Sequence, residues 1–253
     1  MVRTFQIIAA ILTVVLGASL AGRLSAQANS EGPVWETLAR EPFPADTLPN
    51  VYMYRATAGP APEVQPEPGA GHTHPGPVFV YILQGTVESQ IEPDPPAVYA
   101  SGEFFYEAPG RLHRFVRNAS KTEPYTLMTF QTGHTERAGA PKPLLGEDLL
   151  STVNQEVSLL RLTLPPGSGS GVSASANPDI FYVLEGKIET SDTGDQRKTY
   201  RLGDVLVKPA SQTGFTFRNA SPTEPAKLLL FQVTAKGAAI SGAAKDKGEG
   251  KAK

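Results

Sequence analysis

Residues 71–85 read GHTHPGPVFVYILQG. His72 and His74 stand in a stretch rich in Gly and Pro, and a short apolar run follows that ends in a Gly turn. Because the run is rich in β-branched and aromatic residues, it favours a buried strand over a helix. Residues two apart in an extended segment point to the same side. His72 and His74 can therefore bind one metal ion together.

A third histidine, His113, ends the segment GEFFYEAPGRLH at residues 102–113. Three of the four histidines of the chain thus fall in one short block. Neutral imidazole is the commonest metal ligand among side chains, and His113 completes the site if the chain folds back on itself. We predict a metal site on His72, His74 and His113. The alternative is that all three are surface or structural histidines.

The sequence also contains an internal repeat at one constant offset. The matches are RNAS at 117–120 and 218–221, TEP at 122–124 and 223–225, FQ at 130–131 and 231–232, YILQG at 81–85 with YVLEG at 182–186, and GE at 102–103 with GD at 203–204. Five matches at one offset are not chance. The chain is therefore predicted to be two copies of one domain.

Each copy is expected to consist of short strands joined by tight turns. Gln84-Gly85 and Glu185-Gly186 are predicted to close hairpins with the strands that follow them. Pro141 and Pro143 mark a linker between the copies, and residues 144–157 are expected to hold a short helical turn.

These segments resemble the two sequence motifs of the cupin superfamily, and the duplication resembles a bicupin. The first motif of that family has Gly, His-x-His, a Glu and a strand that ends in Gly. The second has Gly-Asp, a strand, Pro-x-Gly, a His and a later Asn, here Asn118. The resemblance covers residues 50–235 and implies an all-β fold of two tandem cupin (double-stranded β-helix, or jelly-roll) barrels.

The resemblance also implies a divalent metal ion inside the first barrel, bound by His72, His74 and His113. Val78 stands where the family has its glutamate, and a valine cannot ligate. Glu107, Gln90 and Ser89 are candidates for a fourth ligand, although each is more commonly a strand-surface group. The ligand set does not decide between iron, manganese, zinc, nickel and copper.

The second copy lacks the three histidines. At the same offset it has Ser173, Ser175 and Gly214, and none of these replaces an imidazole. We expect one metal ion per chain and a structural second barrel that packs on the first through apolar sheet faces. A metal-free ligand pocket in the second barrel is the alternative.

The first 28 residues predict a signal peptide, with Arg3, an apolar run at 7–22 and the small-x-small site Ala26-Gln27-Ala28. Cleavage would give a periplasmic or secreted protein with no stable membrane insertion; an uncleaved anchor is the alternative. The expected organisation continues with a metal-binding barrel at 29–135, a linker at 136–152, a metal-free barrel at 153–235 and a disordered tail at 236–253.

The composition excludes some classes of chemistry and of binding partner. The chain has no cysteine, which excludes thiolate catalysis and cysteine-type zinc sites. A net charge of -2 gives no field that would attract nucleic acid. A homo-oligomer is left open.

The resemblance implies a metal-dependent cupin that acts on an oxygenated small molecule in a dioxygenase-like or isomerase-like reaction, and the predicted signal peptide implies that it is exported. The alternative is a non-catalytic protein that binds a small ligand or a metal. Val78, Val80 and Ile82 are predicted to form the apolar wall of the site by alternation. No catalytic residue is assigned: Glu107 and His134 are only candidates for a general base.

Overall fold

The computed structural model of the protein describes residues 32–134, 142–191 and 197–238. The predicted signal peptide lies outside these residues, as does the predicted tail from residue 239 onward. The described part of the chain contains no helix, so it has no helix that could span a bilayer.

Seventeen strands form the described fold, and all of their pairings are antiparallel. In chain order they are β1 (Val34–Phe43), β2 (Asn50–Ala58), β3 (Val78–Gln84), β4 (Thr86–Ile91), β5 (Ala97–Ala100), β6 (Phe104–Glu107), β7 (His113–Asn118), β8 (Tyr125–Thr132), β9 (Leu145–Asp148), β10 (Gln155–Leu164), β11 (Gly169–Gly171), β12 (Asp179–Glu185), β13 (Lys187–Ser191), β14 (Lys198–Arg201), β15 (Val205–Lys208), β16 (Thr216–Asn219) and β17 (Ala226–Ala235).

The strands form two sandwich-like barrels of the same topology. In the first barrel the sheet β6-β3-β8-β2-β9 packs on the sheet β5-β4-β7; in the second, β15-β12-β17-β10-β1 packs on β14-β13-β16-β11. Val78–Gln84 and Asp179–Glu185 show the offset of the sequence repeat residue for residue. The prediction of an all-β fold with two tandem barrels is confirmed.

The two five-stranded sheets pack on each other, which confirms the predicted contact through apolar faces. One buried cluster contains Phe79 and Phe130 from the first barrel together with Leu159 and Phe231 from the second. Separate clusters fill the interior of each barrel. Strand β3 is therefore buried on both faces, which is why its sequence is a continuous apolar run and does not alternate.

One of the two edge strands of each five-stranded sheet comes from outside the repeat that forms the rest of that sheet. β1 precedes the first barrel in sequence, yet it pairs with β10 of the second barrel. β9 falls in the predicted linker, yet it pairs with β2 of the first barrel. Each of these two strands therefore pairs with a strand outside the unit, at 29–135 or 136–152, in which the predicted boundaries place it.

The predicted hairpins are also wrong. β3 pairs with β6 and β8, whereas β4 pairs with β5 and β7, so Gly85 is a corner at which the chain passes from one sheet to the other. Gly85 has φ +76, and a Cβ there would lie 2.5 Å from the carbonyl oxygen of Pro124. The expected helical turn at residues 144–157 is absent, because β9 and the start of β10 occupy that segment.

Candidate metal centre

The backbone brings two of the three predicted ligands side by side. His72 and His113 form an isolated antiparallel bridge, in which each backbone N–H donates to the carbonyl oxygen of the other, at 2.9 and 2.8 Å. Gly71 makes this approach possible, because a Cβ at that position would lie 2.6 Å from the His113 carbonyl oxygen. The motif glycine is therefore required by the close contact between the two segments.

His74 joins the same group, so the structure brings all three predicted residues together. Its Nε2 atom lies 3.1 Å from Nε2 of His72, and the N–H of Gly110 donates to its backbone carbonyl at 2.9 Å. Glu107 is the fourth member: Oε2 lies 2.9 Å from Nε2 of His74 and 3.3 Å from Nδ1 of His113. The four donor atoms lie within 4.8 Å of one another.

The orientation of the His113 ring is fixed by the contacts of its Nε2 atom. Its Nε2 lies 2.9 Å from the carbonyl oxygen of Phe115, and since a carbonyl only accepts, this nitrogen carries the proton. Ser89 Oγ lies 3.2 Å from the same nitrogen. Nδ1 is then the nitrogen with a free lone pair, and it faces Glu107. A backbone carbonyl that holds the far nitrogen in this way is typical of metal-binding histidines.

Glu107 corrects the expectation that it is a strand-surface group. It is only 3% exposed, and in the antiparallel pairing of β3 with β6 it lies directly opposite Val78. Residues that face each other across two strands project to the same side of the sheet. A carboxylate therefore projects from the neighbouring strand on the same side as position 78, where the family motif has its glutamate.

The electrostatics of Glu107 favour a bound cation. Burial alone would raise the pKa of its carboxyl group, but the contacts with His113 and His74 outweigh burial and lower the pKa to about 2. Glu107 Oε2 and His113 Nδ1 are buried and form no hydrogen bond within the described residues. Leaving such atoms unsatisfied costs about 1–3 kcal/mol each. A metal ion between them would satisfy both, so this donor set fits a divalent metal.

The four residues line a cavity of about 500 Å³. Val78 and Val80 line it as predicted, whereas Ile82 is buried in the barrel interior beyond it. Phe105 and Leu127 extend the apolar wall. The cavity is large enough for a small organic molecule beside the metal group.

The other residues that the sequence offered as ligands or as a general base lie outside the group of four. Ser89 contacts the far side of His113, and Gln90 donates to the Asp94 carbonyl oxygen at 3.5 Å. His134 lines the cavity. Its backbone N–H and carbonyl oxygen both bond to the Asn50 side chain, and its ring meets Tyr52 and Tyr54 edge to face.

In the second barrel a buried ion pair occupies the equivalent position. Lys208 corresponds to Glu107 and Asp179 corresponds to Val78; they lie opposite each other on β15 and β12. Both are 0% exposed, and Lys208 Nζ lies 2.9 Å from Asp179 Oδ2. Ser175, at the position of His74, donates to Asp179 Oδ1 at 3.1 Å, and Gln232 donates to the same oxygen at 2.9 Å.

The sequence analysis missed one signal, a charged residue at the same position of both copies. Glu107 and Lys208 each end a strand that is otherwise apolar. Burial raises the pKa of Asp179 in spite of its bonds to Lys208, Gln232 and Ser175. Lys208 therefore holds the strand position in the second barrel that Glu107 holds in the first.

Two segments of the chain match one family model, described as "Cupin domain", at residues 63–130 and 160–232. These segments lie within the two barrels and cover more than half of the chain. No curated protein matches the sequence.

Solved structures share the fold at low sequence identity. AerE from Microcystis aeruginosa has a TM-score of 0.52 at 15% identity, covering 79% of this chain and 97% of its own. A salicylate 1,2-dioxygenase from Pseudaminobacter salicylatoxidans has a TM-score of 0.51 at 13% identity, covering 73% and 71%. Oxalate decarboxylase from Bacillus subtilis, described with Mn(II) centres, has a TM-score of 0.50 at 13% identity, covering 84% and 79%.

Proposed function

The chain belongs to the cupin family, and from this premise we propose that it is a metal-dependent cupin that acts on an oxygenated small molecule. One divalent ion is bound per chain, in the first barrel, by His72, His74, His113 and Glu107. The observation that carries the proposal is the convergence of these four donors, two of them buried and unsatisfied, beside a cavity of about 500 Å³.

A bound divalent ion would supply Lewis-acid chemistry toward an oxygen atom of the ligand, and a redox-active ion would add the capacity for oxygen chemistry. The residues of the chain would orient a metal ligand, exclude water and transfer a proton. Phe115 and Ser89 orient the His113 ring. Val78, Val80 and Leu127 exclude water from one side of the cavity. His134, pinned by Asn50, is the lining group outside the metal cluster best suited to proton transfer near neutral pH.

The comparisons support this chemistry at the level of fold. Barrels of this kind occur in a protein named a salicylate 1,2-dioxygenase and in an oxalate decarboxylase described with Mn(II) centres. The assignment of metal ligands in this chain rests on its own four residues, and a dioxygenase-like reaction is our specific proposal.

Elemental analysis of the purified protein tests the metal. We expect one ion per chain, lost in His74→Ala and His113→Ala but kept in His134→Ala, which makes the same change in the same cavity outside the cluster. Two ions per chain, or metal retained in His113→Ala, would contradict the assignment.

Oxygen uptake with phenolic and diketone substrates then tests the reaction. Iron, manganese or copper with substrate-dependent uptake that disappears in His113→Ala would support a dioxygenase. Zinc without oxygen consumption would favour a hydrolytic reaction or the non-catalytic alternative, a protein that binds a small ligand or metal without turnover.

We also propose that the protein is exported, on the composition of its first 28 residues. N-terminal sequencing of protein from its native host should give a mature chain that starts near Asn29. A mass that retains residues 1–28 would instead indicate an anchored protein.

A further inference from the structure

One side chain that lines the cavity of the first barrel carries a hydrogen-bonding group that its own barrel uses only weakly. We propose that Gln131 determines ligand specificity, because its side-chain amide binds a hydroxyl group of the ligand away from the metal. The ligand is then a small molecule with two oxygen-bearing groups, one for the metal and one for Gln131. This inference rests on the proposed function, since the first group is to bind at the metal centre.

Gln131 lies on the face of β8 that is turned toward the cavity. It is directly opposite Val78 of β3 in the antiparallel register, and Thr129 is opposite Val80. Residues that face each other across two strands project to the same side of the sheet, and all four of these line the cavity. Phe130, between them on β8, points the other way into the contact between the barrels.

The amide group of Gln131 is part of this lining. Its Nε2 atom donates to Thr129 Oγ1 at 3.4 Å, which is longer than the usual 2.7–3.2 Å of such bonds. Among the residues that the structure describes, this is the single hydrogen bond of the Gln131 side chain. A primary amide has two N–H donors and an oxygen that accepts twice, and Gln131 is only half-buried. Most of its capacity therefore remains for a ligand.

The second barrel shows what this amide binds when an oxygen acceptor is near. Gln232 holds the same position of the repeat as Gln131, and its Nε2 atom donates to Asp179 Oδ1 at 2.9 Å. Asp179 holds the position of Val78. Because a valine cannot accept a hydrogen bond, Gln131 lacks the short bond that its counterpart makes. An oxygen atom of a ligand that rests on Val78 would supply it.

Val78 lies between the metal centre and Gln131. Strand β3 is flanked by β6 and β8, and Glu107 and Gln131 both face Val78 from these two strands. Neighbouring strands are about 4.8 Å apart, so the backbones at Glu107 and Gln131 are separated by roughly 10 Å. A ligand that rests on Val78 therefore has the metal at one end and the amide at the other. An aromatic ring with two oxygen-bearing substituents spans such a distance.

The amide favours an uncharged hydroxyl group. It offers a donor and an acceptor side by side, and a hydroxyl group both accepts and donates. A site that forms hydrogen bonds with a hydroxyl group rejects the analogue that lacks it, because a polar group of the protein is then left unpaired. Gln131 should therefore distinguish a hydroxyl from a methyl group of nearly the same size.

The test uses the full chain loaded with Zn²⁺, with metal content measured before and after each probe is added. The probes are benzohydroxamates, whose hydroxamate group binds zinc, with a hydroxyl or a methyl group at ring position 3 or 4. Calorimetric titration gives their affinities. At one of the two positions we expect the hydroxyl compound to bind about three- to tenfold more tightly than the methyl compound, as one hydrogen bond would give. Gln131→Leu should abolish or reverse this preference, since leucine packs against the methyl group.

Gln90→Leu is the matched control, because Gln90 is a half-buried glutamine of the first barrel outside the cavity lining. It should keep the wild-type preference. A purely structural role for Gln131 would weaken all probes alike and leave the ratio of affinities unchanged. An unchanged ratio in Gln131→Leu would overturn this inference and leave the metal assignment intact. So would zinc-loaded wild type that binds no probe, or that binds hydroxyl and methyl compounds equally at both positions. Absence of zinc would overturn the proposed function itself.

Discussion

Phe130 and Phe231 stack on each other with ring centroids 5.2 Å apart and planes 8° from parallel. The two residues hold the same position in the two copies of the repeat, on β8 and β17. One side chain of the ancestral unit thus packs against its own copy. Both are 0% exposed, so this contact between the barrels is as fully shielded from solvent as the interior of either barrel.

Phe231→Ala should destabilise the protein by about 3–5 kcal/mol, because it leaves a cavity between two rigid sheets. Urea unfolding followed by far-UV circular dichroism and by the fluorescence of Trp35, the single tryptophan, measures the change. Phe115→Ala, which removes a partly exposed ring, should cost less. Equal costs for the two variants would argue against a tightly packed interface.

Moving the carboxylate between strands tests its role in metal binding. Glu107→Val should weaken Zn²⁺ binding at least about tenfold, since it removes the anionic ligand. Val78→Glu combined with Glu107→Val should recover part of the affinity, because the two positions face each other. Competition with a chelator of known affinity measures both. Unchanged affinity in Glu107→Val would show that Glu107 is not a ligand.

The pH dependence of metal release should be set by the histidines. Because the pKa of Glu107 is lowered to about 2, its carboxylate stays ionised above that pH and protonates only as the pH falls through that value. Imidazoles bind metal only when unprotonated, so acid releases the ion earlier by protonating them. Above about pH 2, wild type and Glu107→Gln should lose zinc with pH profiles of the same steepness, and the variant should bind zinc more weakly throughout. A steeper profile in wild type would mean that Glu107 titrates in this range.

The ion pair of the second barrel should be costly to break and easy to replace. Lys208→Met leaves Asp179 buried without its partner and should cost about 3–5 kcal/mol, whereas Lys208→Met with Asp179→Leu should restore most of the stability. Lys227→Met is the control. It removes the exposed pair with Glu185 and should cost at most about 1 kcal/mol. A large cost in the double variant would show that the pair itself is stabilising.

Part of the structure could be predicted from the sequence. The His-x-His spacing predicted that His72 and His74 share a site, and the resemblance to the cupin motifs added His113. The repeat predicted two copies of one domain, and the apolar run of β3 predicted a buried strand.

The remaining features depend on which strands pair, and the sequence of a single strand does not determine that. Glu107 reads as a surface residue until β6 is placed opposite β3 with Val78 as its partner. Gly85 reads as a hairpin turn until β3 and β4 are assigned to different sheets. β1 carries no signal that its partner is β10 and not the strand that follows it.

The position of β1 also affects how the protein is made. Synthesis and export both proceed from the N-terminal end of a chain, so Arg40 emerges well before Glu156, its ion-pair partner 116 residues further along the chain. During synthesis of the entire first barrel, β1 has no sheet partner, and its backbone donors and acceptors remain open to other chains. Trp35, which packs against Phe217 only after the second barrel is complete, would report the end of this interval. The nascent protein is therefore most exposed to aggregation before its last strands emerge, and folding factors that bind extended segments would act in that period.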